Sequence, residues 1–240
     1  NGINSDIYNV KKIIKEDYPN IILIEDNAVN FGSMEKNKFS GNIGDYTILS
    51  FNFMKNITSM TGGVLIENSK KVNLEVSNFY FKNETITNLF KKILFFCLLK
   101  FLNSRMIFFF FFKFIKFSKK FKINFFLKKY RTDFNLSIEP KIPKNYLVRM
   151  HSFQKILLIN QFKNFKNQHL SRIEKSNYYF KNLKHIKEIT FPQDDFSTKN
   201  LFIDFPIIVD EKQKKIDLCN YFLSKNLDIK DYYYSNCGSN

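Results

Sequence analysis

The sequence predicts an α/β fold, on the strength of three observations. A helical pattern of apolar residues (Ile7, Val10, Ile13, Ile14) runs directly into a short apolar run, Ile21-Ile22-Leu23-Ile24. Two further apolar runs, Tyr46–Phe51 and Gly62–Ile66, follow. Polar, glycine-containing segments separate the runs. Helix followed by buried strand is the rhythm of α/β domains, in which helices cover the faces of a sheet.

Each element has a local reason. Asp6 to Tyr18 reads as the first helix, with Ser5 as its N-cap, because a hydroxyl there can satisfy an early backbone N–H. Ile21–Ile24 reads as a strand buried on both faces, as in a parallel sheet, because its apolar run is continuous and β-branched. Tyr46–Phe51 and Gly62–Ile66 read as the second and third strands. Farther on, Gln154 to Asn182 reads as one long helix or two, Leu201–Val209 as a strand, and Ile216–Lys225 as a helix.

Ligands of open α/β sheets bind at the carboxyl ends of the strands. Glu25 and Asp26 occupy that place after the first strand. Two readings stand side by side: a carboxylate that meets a ligand, or one that caps the following loop. Lys55 lies 29 residues beyond Asp26, just past the second strand. Most lysines are solvated surface charges, and this chain is rich in them. Lys55 is set among Phe53, Met54 and Ile57, and is followed by Thr58, Ser59, Thr61 and Gly62-Gly63. A partly apolar setting weakens a lysine's preference for its charged form, and the neutral amine is the nucleophile.

These residues together resemble the DegT/DnrJ/EryC1/StrS family of sugar aminotransferases, which use pyridoxal phosphate (PLP). The matching pieces are Glu25-Asp26, Asn27-Ala28, Gly41 to Asp45, Ser50-Phe51, Lys55 and Gly62-Gly63. A second block follows: Tyr146 to Gln154, with the Tyr-Arg-Met-like Tyr146-Leu147-Val148-Arg149-Met150, then Asn160-Gln161-Phe162. Arg172, Tyr178, Leu183 and Phe191-Pro192 continue in family order. The resemblance covers roughly 1–75 and 140–230. It implies PLP-dependent transferase fold type I, aspartate-aminotransferase-like, as a partial large domain plus a smaller C-terminal α+β domain. It places Asn1 well inside a family member, and the C-terminus short of the family's end. The N-terminal part of the fold, including the helix start that cradles the PLP phosphate, is then expected outside these residues. Nothing in 1–20 resembles a signal peptide.

The resemblance also implies roles. Asp26 pairs with the protonated pyridine nitrogen of PLP and keeps the ring an electron acceptor. Lys55 holds the cofactor as a Schiff base and shuttles the proton. Ser50 donates to the cofactor phosphate. Val29 stands where the family usually has Gln or His beside the cofactor ring. Leu147 stands where the family tends to have Asn, reaching the phosphate in the neighbouring subunit. A retained lysine argues against the family members that carry histidine there and run dehydration. The implied reaction is amino transfer from glutamate to a nucleotide-linked keto-sugar, for surface polysaccharide or glycolipid synthesis, in a homodimer. The alternative is a degenerate homologue that binds PLP or a sugar nucleotide at a membrane-associated assembly without turnover.

Composition bounds the rest. The chain has 30 Phe, 7 Gly, no Trp and a net charge of +16. Its three cysteines (Cys97, Cys219, Cys237) have neither metal nor disulfide spacing, which points to a reducing, cytoplasmic setting. His151, His169 and His185 have no ligand pattern around them, so no metal is expected. The basic residues concentrate in a Phe-rich block and along 141–187, without a DNA or RNA motif, so no nucleic acid is expected.

That Phe-rich block, Leu89 to Tyr130, is both apolar and basic. Ile93 to Phe112 has the length of a membrane span, but Lys100, Asn103, Ser104 and Arg105 interrupt it, and charge there is expensive. Two shorter helices, roughly 88–102 and 105–118, fit better. Lys113, Lys116 and Lys120 recur at helical spacing among Phe110, Phe114, Phe117 and Phe121. Such a helix suits an anionic membrane surface at the inner face of the membrane. Packing on the protein's own core or on a second subunit, and a true span, are the competing readings. The expected division is 1–88 for the PLP-binding large-domain part, 89–137 for the insertion, and 138–240 for the smaller domain.

Overall fold

The computed structural model describes residues 6–35, 38–69, 80–120, 146–191, 200–227 and 229. The chain divides into two compact units: 1–96 with 142–208, and 97–141 with 209–240. The first contains the three-stranded sheet together with Asp26, Val29, Ser50, Lys55 and Leu147.

Helix α1 spans Ile7–Asp17. Its N-cap is Asp6, whose carboxylate accepts from the Asn9 backbone N–H; Ser5 lies outside the described residues. Strand β1 is Ile24–Asp26, later than the Ile21–Ile24 expected. The shift has a specific cause. Leu23 turns sideways to Asp45: its N–H donates to the Asp45 carboxylate at 3.0 Å, and its carbonyl accepts from Asp45 and Tyr46 N–H at 2.7 and 3.2 Å. Ladder pairing therefore begins one residue on. Strand β4 (Tyr46–Ser50) pairs parallel with β1, with Glu25 opposite Thr47 and Asp26 opposite Ile48. Strand β5 (Gly63–Glu67) returns antiparallel to β4, giving the sheet order β1-β4-β5. The short strands β2 (Met34–Glu35) and β3 (Lys38–Phe39) form a separate antiparallel pair.

The first strand departs from the expected two-sided burial. Glu25, not an isoleucine, is the buried residue of β1, while Ile24 is 55% exposed. Ile48 and Leu65, paired across β4 and β5, are 43% and 48% exposed. An apolar run records which residues favour burial; here little of the described chain covers that stretch of sheet.

Strand β6 (Lys82–Asn83) pairs parallel with β7 (Val148–Arg149). The expected two-helix reading of the Phe-rich block holds: α2 is Ile86–Leu102 and α3 is Arg105–Lys120, broken at Asn103–Ser104. The expected long helix from Gln154 is two helices, α4 (Ser152–Lys163) and α5 (Phe165–Leu183), separated at Asn164. A short strand β8 (Ile189–Thr190) follows α5. The strand expected over Leu201–Val209 is reduced to β9, Ile208–Val209. Pro206 supplies no N–H for a ladder, which confines pairing to its C-terminal side. Leu201 and Phe202 are buried all the same, outside any strand, and Leu201 N–H donates to Ser33 Oγ at 2.8 Å. Helix α6 is Lys212–Ser224, starting earlier than the expected Ile216.

The core of the first unit gathers Leu49 and Phe51 from the end of β4, Ile57 from the following loop, and Leu158 from α4. Phe31, Met150 and Phe165 pack against it. Phe31 is the hub of the aromatic contacts, with ring centroids 6.3 Å from Phe51, 5.6 Å from Phe162 and 5.1 Å from Phe165. Edge-on and tilted rings at these separations gain beyond their area burial. This cluster fixes the ends of β1 and β4 against α4 and α5.

Candidate active site

The two acidic residues at the end of β1 do different things. Glu25 is 7% exposed, and its carboxylate accepts backbone N–H bonds from Gly41 (2.9 Å), Ile43 (2.7 Å) and Gly44. It therefore organises the glycine-containing loop before β4. The Gly41 carbonyl in turn accepts from Thr47 Oγ1 (2.7 Å) and Asn68 Nδ2 (2.8 Å), which ties that loop to β4. Asp26 is exposed, and its Oδ1 accepts from Ala28 N–H at 3.0 Å. That is a short Asx-type turn.

The turn after Asp26 is built to place side chains on two sides. Asn27 N–H still follows the sheet, donating to the Ile48 carbonyl at 2.9 Å. Asn30 N–H returns to the Asn27 carbonyl and Ser33 N–H to the Asn30 carbonyl. Gly32 sits at φ +95, and a Cβ there would stand 2.3 Å from Phe165 Cζ. Only glycine fits, both for backbone conformation and for space. Ala28, Val29 and Phe31 thereby reach the wall of one cleft.

Ser50 ends β4, and the chain leaves the sheet in a loop closed at its foot. Phe51 N–H donates to the Gly62 carbonyl (2.9 Å), and Ser59 N–H to the Phe51 carbonyl (2.9 Å). Lys55 lies on this loop, with its N–H on the Asn52 carbonyl at 3.0 Å. Its side chain is half-buried, and no carboxylate among the described residues forms an ion pair with it. Ala28, Val29, Phe31, Ser50, Phe51, Lys55, Asn56, Ile57 and Ile203 line the cleft.

Val29, Ser50 and Lys55 line one cleft. Asp26 is at the same end of β1 but not on the cleft wall. Leu147 is half-buried, and its carbonyl accepts from Lys82 N–H at 3.0 Å, where β6 meets β7. Asn56 carries no role in the sequence reading, yet it lines the cleft, and its buried Oδ1 has no hydrogen-bond partner among the described residues. Buried polar atoms are normally satisfied, so an orphan acceptor beside Lys55 marks a wall that can take a donor. The donor chemistry suits a phosphorylated pyridine aldehyde: an amine for the aldehyde carbon and a hydroxyl for the phosphate. Ile203 reaches the site from distant sequence, and no local signal marks it.

A family model described as the DegT/DnrJ/EryC1/StrS aminotransferase family matches residues 1–91 and 128–239. No curated protein matches the chain significantly. Among solved structures, the chain is similar to E. coli GDP-4-keto-6-deoxy-D-mannose-3-dehydratase with bound hydrated PLP. Identity is 17%, the match covers 92% of this chain and 49% of that one, and the TM-score is 0.55. It is also similar to Helicobacter pylori PseC, an aminotransferase involved in pseudoaminic acid biosynthesis (19% identity, 94% and 48% covered, TM-score 0.54). A putative sugar aminotransferase from Streptococcus pneumoniae in its PLP form is a third (17%, 94% and 50%, TM-score 0.52). The chain spans about half the length of these structures. Their fold is the expected fold-type-I class, and by its sequence match and its fold the chain belongs to the DegT/DnrJ/EryC1/StrS aminotransferase family.

Proposed function

We propose that the protein carrying this chain is a cytoplasmic PLP-dependent aminotransferase that moves an amino group from glutamate to a nucleotide-linked keto-sugar, as a homodimer, in surface polysaccharide or glycolipid synthesis. The observation that carries the reading is the meeting of Lys55, Ser50 and Val29 in one cleft of a chain with this family's sequence. Bound PLP supplies an electron sink for the substrate carbon. Lys55 would hold the cofactor covalently through its Nζ and would move the proton there. Ser50 Oγ would donate to the phosphate and Val29 would cover a ring face; Asp26, off the cleft wall at the same end of β1, takes the ring-nitrogen role only from the family resemblance. Phe31, Phe51 and Ile57 give the cleft apolar wall beside Lys55.

The test is borohydride reduction of the full-length protein incubated with PLP, followed by peptide mapping. A pyridoxyl label on Lys55, lost in Lys55→Ala and not restored in Lys55→Arg, supports the assignment. The guanidinium of arginine stays protonated and is a poor nucleophile. A label on another lysine refutes it.

The same reading includes a peripheral contact with an anionic membrane through 89–130. Phe90, Leu94, Leu98 and Phe101 of α2 are exposed, as are Met106, Phe110, Phe114 and Phe117 of α3. Residues 85–132 contain no Asp or Glu. Among the described residues, no single helix is long and apolar enough to cross a membrane. Replacing Lys113, Lys116, Lys119 and Lys120 with Gln should weaken sedimentation with anionic vesicles and flatten its salt dependence, each lysine contributing about 1 kcal/mol. Equal partitioning onto neutral and anionic vesicles would remove the electrostatic part of the reading.

A further inference from the structure

We infer that Gln161 is a positioning residue for Lys55, acting from α4 with Gln154 beside it. The inference rests on the reading of Lys55 as the cofactor-binding amine. Gln161 takes both backbone groups of one residue: its Oε1 accepts from Thr58 N–H at 3.1 Å, and its Nε2 donates to the Thr58 carbonyl at 2.6 Å. Nε2 also donates to the Leu157 carbonyl at 3.1 Å, which anchors the amide to its own helix. Thr58 is three residues past Lys55. A side-chain amide that pairs with both the N–H and the C=O of a residue fixes the peptide planes on either side of it.

Gln154 lies two helical turns earlier on the same face. It is 1% exposed, and its Nε2 donates to the Ser59 carbonyl (2.9 Å) and the Thr61 carbonyl (3.2 Å). Its Oε1 accepts from His151 N–H at 3.0 Å, within the capping box of α4. The two glutamines therefore grip the foot of the loop where Phe51, Ser59 and Gly62 close it. Ile57 is sunk into the core beside Leu158 of the same helix. The loop tip, Asn52 to Asn56, makes short local hydrogen bonds, from Lys55 N–H to the Asn52 carbonyl and from Phe53 N–H to Asn52 Oδ1, and the Phe53 ring meets Phe95 of α2 edge-on at 6.1 Å. The side-chain hydrogen bonds that reach this loop from α4 all fall at its foot, so the place of Lys55 in the cleft depends on how that foot is held. The foot needs this external grip because its backbone is turned, with Met60 at φ 72 and Gly62 at φ 111. Reaction geometry is sensitive to displacements of about 1 Å.

The experiment compares Gln161→Met, close in volume but without the amide, with Gln161→Glu, which keeps the acceptor for Thr58 N–H and loses the donor. The first readout uses cofactor-free full-length protein: competitive acetic anhydride labelling of Lys55 across pH, with exposed Lys15 as internal reference. The second is hydrogen exchange of the 58–61 amides. The third is the split between kcat and KM. Positioning predicts a changed Lys55 labelling profile, faster exchange at 58–61, and kcat lowered by about 10- to 100-fold with little change in KM. Gln161→Glu should fall between wild type and Gln161→Met, and serves as the test variant if Gln161→Met does not fold. A folded variant whose Lys55 labelling profile and kcat match wild type overturns the inference, whatever its melting temperature. Absence of PLP labelling at Lys55 in wild type refutes the functional reading instead, and the acetylation profile still reports on the grip.

Discussion

Replacing Glu25 with Ala should unfasten the loop before β4. In the native structure this one carboxylate satisfies three backbone donors, Gly41, Ile43 and Gly44 N–H, all on buried residues. Each buried donor left without a partner costs about 1–3 kcal/mol. Water admitted to the vacated space recovers part of that, so the lower end applies, and the three together come to ~4 kcal/mol. Against a typical domain stability of about 5–15 kcal/mol, that is a large fraction. With a urea m-value of about 2 kcal/mol/M, the unfolding midpoint should fall by about 2 M. Glu25→Gln should cost roughly half as much, because its carbonyl still serves Ile43 and Gly44 while its NH2 faces the Gly41 N–H. Hydrogen exchange at 41, 43 and 44 should accelerate before global unfolding in both variants. A midpoint within 0.3 M of wild type (about 0.6 kcal/mol at that m-value), with unchanged exchange at those amides, would refute the claim that Glu25 holds this loop.

Three further outcomes follow from the same geometry. Asp26→Asn should leave PLP bound but slow turnover sharply, since each pKa unit lost at the ring nitrogen corresponds to about 1.4 kcal/mol; near-normal turnover would leave Asp26 as a cap for Ala28 N–H alone. Burial holds His169 below its ordinary 6.5, with its ring stacked 5.7 Å from Phe165 and its Nδ1 without a partner among the described residues. The unfolded chain then binds this proton more readily than the folded one, so stability should be full above pH 6.5 and fall as pH drops below it toward the lower folded value; His169→Phe should flatten the melting temperature over that window, and an unchanged slope would exclude this imidazole as its source. Gly32→Ala should lower stability by about 2–3 kcal/mol, from a left-handed backbone and an enforced shift of the Phe165 ring, and a melting temperature equal to wild type would show that the turn relaxes freely.

What the sequence alone determined is local or patterned. Helical spacing placed α2 and α3 close to their observed bounds, because 3.6-residue periodicity survives whatever surrounds a helix. Apolar runs marked β4 and β5, and the ordered small motifs from Glu25 to Gly63 carried the family. Lys55 and Ser50 came from the same ordered motifs, and Val29 stands where those motifs carry a polar residue; all three line one cleft.

Only the tertiary structure decided what those residues touch. It separated Glu25 from Asp26, turning one into the buried acceptor for a loop 16 to 19 residues away and leaving the other exposed. It brought Gln161 to Thr58 across 103 residues, and Ser33 to Leu201 across 168. It left Ile24 exposed where the apolar run had implied two-sided burial, and Ile48 and Leu65 exposed beside it. It moved most of 201–209 out of the sheet without removing Leu201 and Phe202 from the core. The physical reason is common to all of these. Periodicity states that a side chain prefers to leave water, but burial and long-range hydrogen bonding are pairwise, and the partner is chosen only when the chain folds back on itself.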